Sequence, residues 1–344
     1  RLVVRTLPEI IFVVGNSRSG TTMLGRMLGL NKSVHTFPEL HFFERYYGNP
    51  LNDARALEAT SRMLRIEAEG FFGNSPIAKY HGEANQLLNN DRLHQPVDIY
   101  SRFITHALAK RNKQIACEQT PQNVFYTGEI LQAFPDAKFI NLVRDPRDVL
   151  LSQKNKWRRL KLGAQFSNRF ESLRSRVNYQ PITISTLWNA AVQAGLAFEA
   201  NPNVITVRFE DLLANPEGTL RRICKHAGIE FSVEMLDVPQ VGSSSGEDKP
   251  DRKGLNTDRA QSWKRGGLTK AELHLCQRVT SENMKRFGYE KVDVDASPWA
   301  VLGHYVSLPF KLLLALAFNI HRVGNIFDAV KRRLRSPRVH TNLH

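Results

Sequence analysis

Short apolar runs alternate with longer amphipathic stretches along this chain. Glu9-Ile-Ile-Phe-Val-Val14 is mostly apolar, rich in β-branched residues and ended by Gly15. That is the pattern of a strand buried on both faces. Comparable runs follow at residues 34–37, 114–117, 138–143 and 204–208. Helical periodicity lies between them, at residues 21–30, 98–111, 122–134, 146–157, 186–200 and 216–227. Strands separated by helices require right-handed crossovers, which predicts an α/β fold. Its centre is a parallel β-sheet of about five strands, covered by helices on both faces. The chain contains no internal repeat and no low-complexity tract.

Two regions break this rhythm. Residues 242–254 (GSSSGEDKPDRKG) form a polar Gly/Ser-rich stretch, longer than a structural connection usually needs. Beyond Asp295 the composition changes, which divides the chain into a main domain (1–295) and a C-terminal helical extension (296–344). Within that extension, Pro309-Phe-Lys-Leu-Leu-Leu-Ala-Leu-Ala-Phe318 is strongly apolar and Lys331-Arg-Arg-Leu-Arg335 is basic. No apolar run reaches the roughly 18 residues of a spanning helix. An apolar helix followed by a basic cluster suits peripheral membrane contact through residues 309–335. A helix packed on the domain, or at a homodimer contact, has the same pattern.

Charge narrows the partners. The 48 Lys and Arg against 33 Asp and Glu give a formal net charge of +15. Such an excess favours anionic partners such as nucleotides or an acidic membrane face, and says nothing about fold. Nucleic acid is not expected, because no recognised binding motif accompanies the charge. Cys117, Cys224 and Cys276 are too few and too scattered for a disulfide framework or a zinc site, and no metal-ligand cluster stands out.

The first strand runs into Gly15-Asn-Ser-Arg-Ser-Gly-Thr-Thr22, where a helix begins. A glycine-rich turn between strand and helix binds phosphate because successive backbone N–H groups converge on the anion. The helix N-terminus adds its dipole and orphan donors. The spacing nearly matches the ATPase loop, but Thr21 stands where that loop places its phosphate-binding lysine. This argues against nucleotide hydrolysis and leaves Arg18 as the cation inside the loop. A second anchor follows the strand at 138–143, in Arg144-Asp-Pro-Arg-Asp-Val-Leu-Leu-Ser152. Pro146 suits a first helical turn, and Arg144 would stand at a strand's carboxyl end, where open α/β sheets bind ligands. A structural pair of Arg144 with Asp145 or Asp148 is the competing reading.

Together these segments resemble the sulfotransferases that use 3'-phosphoadenosine-5'-phosphosulfate (PAPS). Ser17-Arg-Ser-Gly-Thr-Thr22 is similar to their 5'-phosphosulfate loop, which implies a P-loop-type fold and donor contacts from Arg18, Ser19, Gly20, Thr21 and Thr22. Residues 143–152 resemble their 3'-phosphate segment, implying Arg144 and Ser152 as ligands, with Arg147 a neighbour. Val207-Arg-Phe-Glu-Asp-Leu-Leu213 and Arg286-Phe-Gly-Tyr289 resemble two further family blocks, so the likeness spans about residues 8–290. It is strongest to the tyrosylprotein, carbohydrate and bacterial branch. The implied reaction is in-line transfer of a sulfuryl group to a hydroxyl on a glycan, glycolipid, tyrosine or other acceptor, releasing PAP, without a metal.

Glu39 follows Arg18 by 21 positions, a spacing at which the tyrosylprotein branch places its proposed general base. Its neighbours His35 and His41 are the competing bases. Phe209 stands where relatives often place an adenine-stacking tyrosine, while Ser243 and Lys264 resemble the segment that closes over the nucleotide. Gln119 departs from the pattern, because relatives commonly carry a lysine there. A nucleotide kinase, or a membrane-associated nucleotide-binding protein without turnover, is the alternative function. A cytoplasmic or peripheral-membrane bacterial enzyme and a Golgi-lumen domain without its anchor share these features.

Overall fold

A computed structural model describes residues 7–71, 73–88, 94–158, 169–240, 249–319 and 331–332. Five strands, β1 (Glu9–Gly15), β2 (Val34–Thr36), β3 (Ile115–Glu118), β4 (Lys138–Val143) and β5 (Val204–Arg208), form a parallel sheet in the order β2-β3-β1-β4-β5. The α/β class and all five strands agree with the sequence pattern. β1 occupies the centre, in register with β3 from Glu9↔Ile115 and with β4 from Ile11↔Lys138 to Gly15↔Leu142.

The helices are α1 (Thr21–Gly29), α2 (Phe42–Tyr46), α3 (Asp53–Glu69), α4 (His81–Leu88), α5 (Pro96–Lys110), α6 (Thr127–Ala133) and α7 (Pro146–Lys154). They continue with α8 (Arg169–Val177), α9 (Pro181–Leu196), α10 (Phe209–Ala214), α11 (Pro216–Ala227), α12 (Lys270–Arg286) and α13 (Pro298–Asn319). Strand side chains alternate between the two faces of a sheet. Ile10, Phe12 and Val14 of β1 therefore join one core with α3, α5 and α6, where Phe12 stacks on Phe139 at 5.0 Å. Ile11 and Val13 join the opposite core with Leu24, Met27 and Leu28 of α1 and Leu220 and Ile223 of α11.

The differences from the sequence reading have local causes. The helix expected at 122–134 splits into a 3-10 turn over Pro121–Tyr126 followed by α6. The helix expected to begin at 186 begins at Pro181, because the Gln180 side chain accepts from the Thr183 N–H and starts it a turn earlier. Helices α3 and α4 lie outside the helical stretches read from the sequence. α3 is opened by Asn52, whose side chain accepts from the Arg55 N–H.

The C-terminal helix corrects the reading that its apolar part is too short to cross a bilayer. α13 is continuous over 22 residues with Pro309 inside it, and by length and composition alone it is long and apolar enough for a membrane. Gly303, His304 and Ser307 interrupt the apolar run without interrupting the helix.

Candidate active site

The loop from β1 to α1 is shaped by two glycines that nothing else could replace. Gly15 has φ 142°, and a Cβ there would stand 2.3 Å from the Leu142 carbonyl oxygen on the neighbouring strand. Gly20 has φ 97°, and its Cβ would stand 2.5 Å from the Phe209 ring. Arg18 also holds a positive φ, 73°. Gly20 makes no side-chain cap for α1, so the first-turn N–H groups keep the donor capacity that binds anions. Ser19 is fully buried, and its Oγ has no hydrogen-bond partner among the described residues. An orphaned buried hydroxyl beside free helix donors fits a bound oxyanion.

The second anchor reaches the same cleft. Arg144 is buried at the end of β4, its guanidinium 4.5 Å from the centre of the Phe209 ring. It donates to the Arg18 carbonyl at 3.2 Å and to the Arg259 carbonyl at 2.7 Å, and its Nε has no hydrogen-bond partner among the described residues. Asp148 lies 3.8 Å away, whereas Asp145 pairs with Arg147 at 2.7 Å. Arg147 is therefore committed to Asp145, Gln277 and the Glu290 carbonyl. Ser152, two turns along α7, accepts from Arg18 Nε at 3.0 Å. A cleft of about 180 Å3 lies between these groups, lined among others by Arg18, Gly20, Thr21, Thr22, Arg144 and Phe209.

A larger cavity of about 520 Å3 adjoins it, and Ser17, Arg18, Thr22, Arg26 and Glu39 line both. Glu39 Oε2 lies 3.2 Å from His41 Nε2, and the other ring nitrogen of His41 faces Glu44 at 3.4 Å. Burial alone would raise the Glu39 carboxyl. The hydrogen bond and charge of His41, with the charges of Lys156 and Arg18, hold it below its ordinary value instead. Burial alone would lower His41, but its hydrogen bonds to Glu39 and Glu44 raise it to about 9. Near neutrality the pair is thus a carboxylate beside an imidazolium. His35 turns elsewhere, to Glu67 Oε1 at 2.8 Å, and packs edge-on against Phe37.

Beneath Glu39 the carboxyl end of β3 fixes the backbone. Glu118 accepts from the Leu40 N–H and from the Thr120 and Asn123 side chains, and the Thr120 hydroxyl accepts from the His41 N–H at 3.3 Å. Burial pushes the Glu118 carboxyl up to about 7 against those hydrogen bonds. Gln119 is buried and donates to the Phe37 carbonyl at 3.2 Å, while lining the larger cavity.

The family model described as the sulfotransferase family matches residues 8–233. The chain belongs to the sulfotransferase family. It is similar to the omega-hydroxy-beta-dihydromenaquinone-9 sulfotransferase Stf3 of Mycobacterium bovis, 24% identical over 64% of this chain and 62% of the relative. It is also similar to protein-tyrosine sulfotransferase A of Caenorhabditis elegans, 23% identical over 86% of this chain and 70% of that protein. Among solved structures, the sulfotransferase domain from the curacin biosynthetic pathway superposes with a TM-score of 0.52 at 20% identity. That superposition covers 83% of this chain and 99% of the domain. This likeness carries the family fold.

Within the family frame, Arg18, Gly20, Thr21, Thr22, Arg144, Phe209 and Glu39 line the smaller cleft, and Ser152 is tied to it through its bond with Arg18. Lys264 is exposed and donates to Gln261 Oε1 at 2.8 Å, and Arg259 of the same region lines the cleft instead. Ser243 lies outside the described residues. Lys156 and Glu118 were not legible in advance. Lys156 follows α7 with no motif around it, and Glu118 looks like the end of an ordinary strand.

Proposed function

We propose that this chain is a PAPS-dependent sulfotransferase that moves a sulfuryl group onto an acceptor hydroxyl. The position of Glu39 carries the reading. Its carboxylate borders both the glycine-loop cleft and the larger cavity, so a donor-side anion and an acceptor hydroxyl would meet beside a base. Bound PAPS supplies the sulfuryl group and leaves as PAP. Arg18, Ser19 and the N–H groups from Gly20 to Thr22 would hold the 5'-phosphosulfate, and Arg144 with Ser152 the 3'-phosphate. Phe209 already supports Arg144 from below and would give the base a hydrophobic wall. By family resemblance, Ser243 and Lys264 belong to the segment closing over the nucleotide.

Glu39 takes the proton of the attacking hydroxyl, and its lowered pKa keeps it ionised and ready at neutral pH. His41, already protonated there, orients Glu39 rather than competing with it as base. Arg18 stabilises the charge that develops opposite the attacking oxygen. The acceptor reading remains a hydroxyl on a glycan, glycolipid, tyrosine or other carrier. One relative is named for a hydroxylated menaquinone and another for protein tyrosine, which supports hydroxyl chemistry without selecting a carrier.

Calorimetric titration with PAP, ADP and ATP tests the donor site. A preference for PAP that disappears in Arg144→Ala is the expected result. Equal binding of PAP and ADP would remove the 3'-phosphate anchor and sink the proposal.

A further inference from the structure

α13 turns most of its few polar side chains toward the protein it leans on, while its most exposed positions are apolar. A helix packed on a soluble core turns its apolar stripe inward and its polar side to water. Here the half-buried face carries the polar side chains His304, Ser307, Lys311 and Asn319 at helical spacing, together with Val301, Leu308, Ala315 and Phe318. The opposite face carries Trp299 at 80%, Val306 at 60%, Phe310 at 67% and Leu313 at 66% exposure, with Leu302 and Leu316 beside them. An apolar surface this long on a soluble monomer marks a contact site.

The helix is held in this orientation. Gln180 donates to the His304 carbonyl at 3.0 Å, and Phe318 stacks on Phe170 at 5.6 Å. At its end, Asn319 accepts from Arg174 at 2.7 Å and donates to Asn178 at 2.9 Å. Asn319 and Arg174 also line the larger cavity beside Glu39, so one end of α13 is part of that cavity's wall.

We propose that α13 beds its outer face in an anionic lipid bilayer, lying along the surface with the cavity wall at Asn319 beside the headgroups. Three observations select lipid over a second copy of the chain. The 22 residues extend about 33 Å, and Lys311, their one charged residue, lies on the inner face rather than among the exposed apolar positions. Lys331, Arg333 and Arg335 follow in the sequence and the whole chain carries +15, whereas Arg332 is taken up by Glu129 and the Tyr126 ring. An apolar helix face on so basic a chain complements anionic headgroups, whereas two copies of the chain repel. Trp299 and Tyr305 add the aromatic residues favoured at the lipid–water boundary.

The test is co-sedimentation of the full chain with vesicles of phosphatidylcholine, with and without phosphatidylglycerol. Binding to the phosphatidylglycerol vesicles is expected, at least about tenfold weaker in Phe310→Ser/Leu313→Ser. Both positions are exposed, so the variant should fold, and an unchanged PAP titration verifies that it has. Trp299 emission should shift to the blue on vesicle addition in the parent chain. Failure to bind vesicles, or binding indifferent to the double substitution, overturns the proposal. So does a dimer in lipid-free sedimentation that the substitution dissociates, since a second copy would then cover the face. The PAP titration reports on the donor site separately, so loss of PAP binding alone counts against the sulfotransferase reading and not against this one.

Discussion

Arg18 and Ser152 are 134 positions apart and share a 3.0 Å hydrogen bond. The bond joins the glycine loop after β1 to the second turn of α7. Because Arg144 also donates to the Arg18 carbonyl, the loop's conformation and the second anchor are fixed by each other. A strained residue at φ 73° persists only where its surroundings over-determine it, and these two bonds supply that determination.

Arg18→Lys keeps a positive charge but loses the planar fork that bonds Ser152 and an oxyanion at once. We expect kcat/KM for sulfuryl transfer to fall about 100-fold, with most of the loss in kcat. Ser152→Ala removes only the partner and should weaken PAP binding by about tenfold or less. Steady-state kinetics together with PAP calorimetry separates the two. Equal, small effects from both variants would mean that Arg18 is only a strut.

Glu39 and His41 give the site a defined pH window. The Glu39 carboxyl is held below its ordinary 4.5, so its protonation, and the acid limb of kcat/KM, should fall below that value. His41 is raised from 6.5 to about 9, so the imidazolium is lost near pH 9 and activity should decline there. The stability contribution has the same sign. A raised histidine stabilises the fold fully below pH 6.5 and ceases to do so as pH rises through about 9. Glu39→Gln should reduce kcat by about 100- to 10,000-fold with PAP affinity unchanged. His41→Gln should move the acid limb upward and flatten the loss of melting temperature between pH 7 and 10 relative to the parent. A pH profile unaltered in His41→Gln would remove the imidazolium from the account.

The sheet and the phosphate loop were legible in the sequence because their determinants are local. β1 needs an apolar run buried on both faces, and Gly15 and Gly20 stand where a side chain would strike Leu142 or Phe209. The second anchor was half legible. Arg144 could be placed at a strand end, but its choice of Asp148 over Asp145 depends on Arg147 occupying the latter. His35 and His41 flank Glu39 alike in sequence, and what separates them is Glu67, 32 positions along the chain, which draws His35 away while His41 stays with Glu39 and Glu44 beside it. The extent of α13 was missed because a count of consecutive apolar residues stops at His304 and Ser307, whereas a helix can turn those residues to one side. Lys156 was invisible because its role comes from what shares the cavity with it.

Lys156 bears on the departure at Gln119. Relatives commonly carry a lysine at that position, and here the side chain is neutral, buried and bonded to the Phe37 carbonyl. Lys156 lines the same cavity from the chain beyond α7, and its charge is among those that hold Glu39 ionised. It also lines the adjoining space with Gly15 and Ser17, at the foot of the glycine loop. A cation supplied from elsewhere in the same cavity lining would compensate electrostatically for the one missing just after β3. Lys156→Met should therefore lower kcat by about tenfold or more and shift the acid limb of the rate profile upward, as Glu39 loses a favourable charge. PAP affinity should change little, because the 3'-phosphate anchor is untouched. Gln119→Lys in the Lys156→Met background then gives the deciding comparison. Recovery of kcat would show that the site needs one cation from either position. A Lys156→Met enzyme with parental kcat and an unmoved acid limb would show that Arg18 alone suffices.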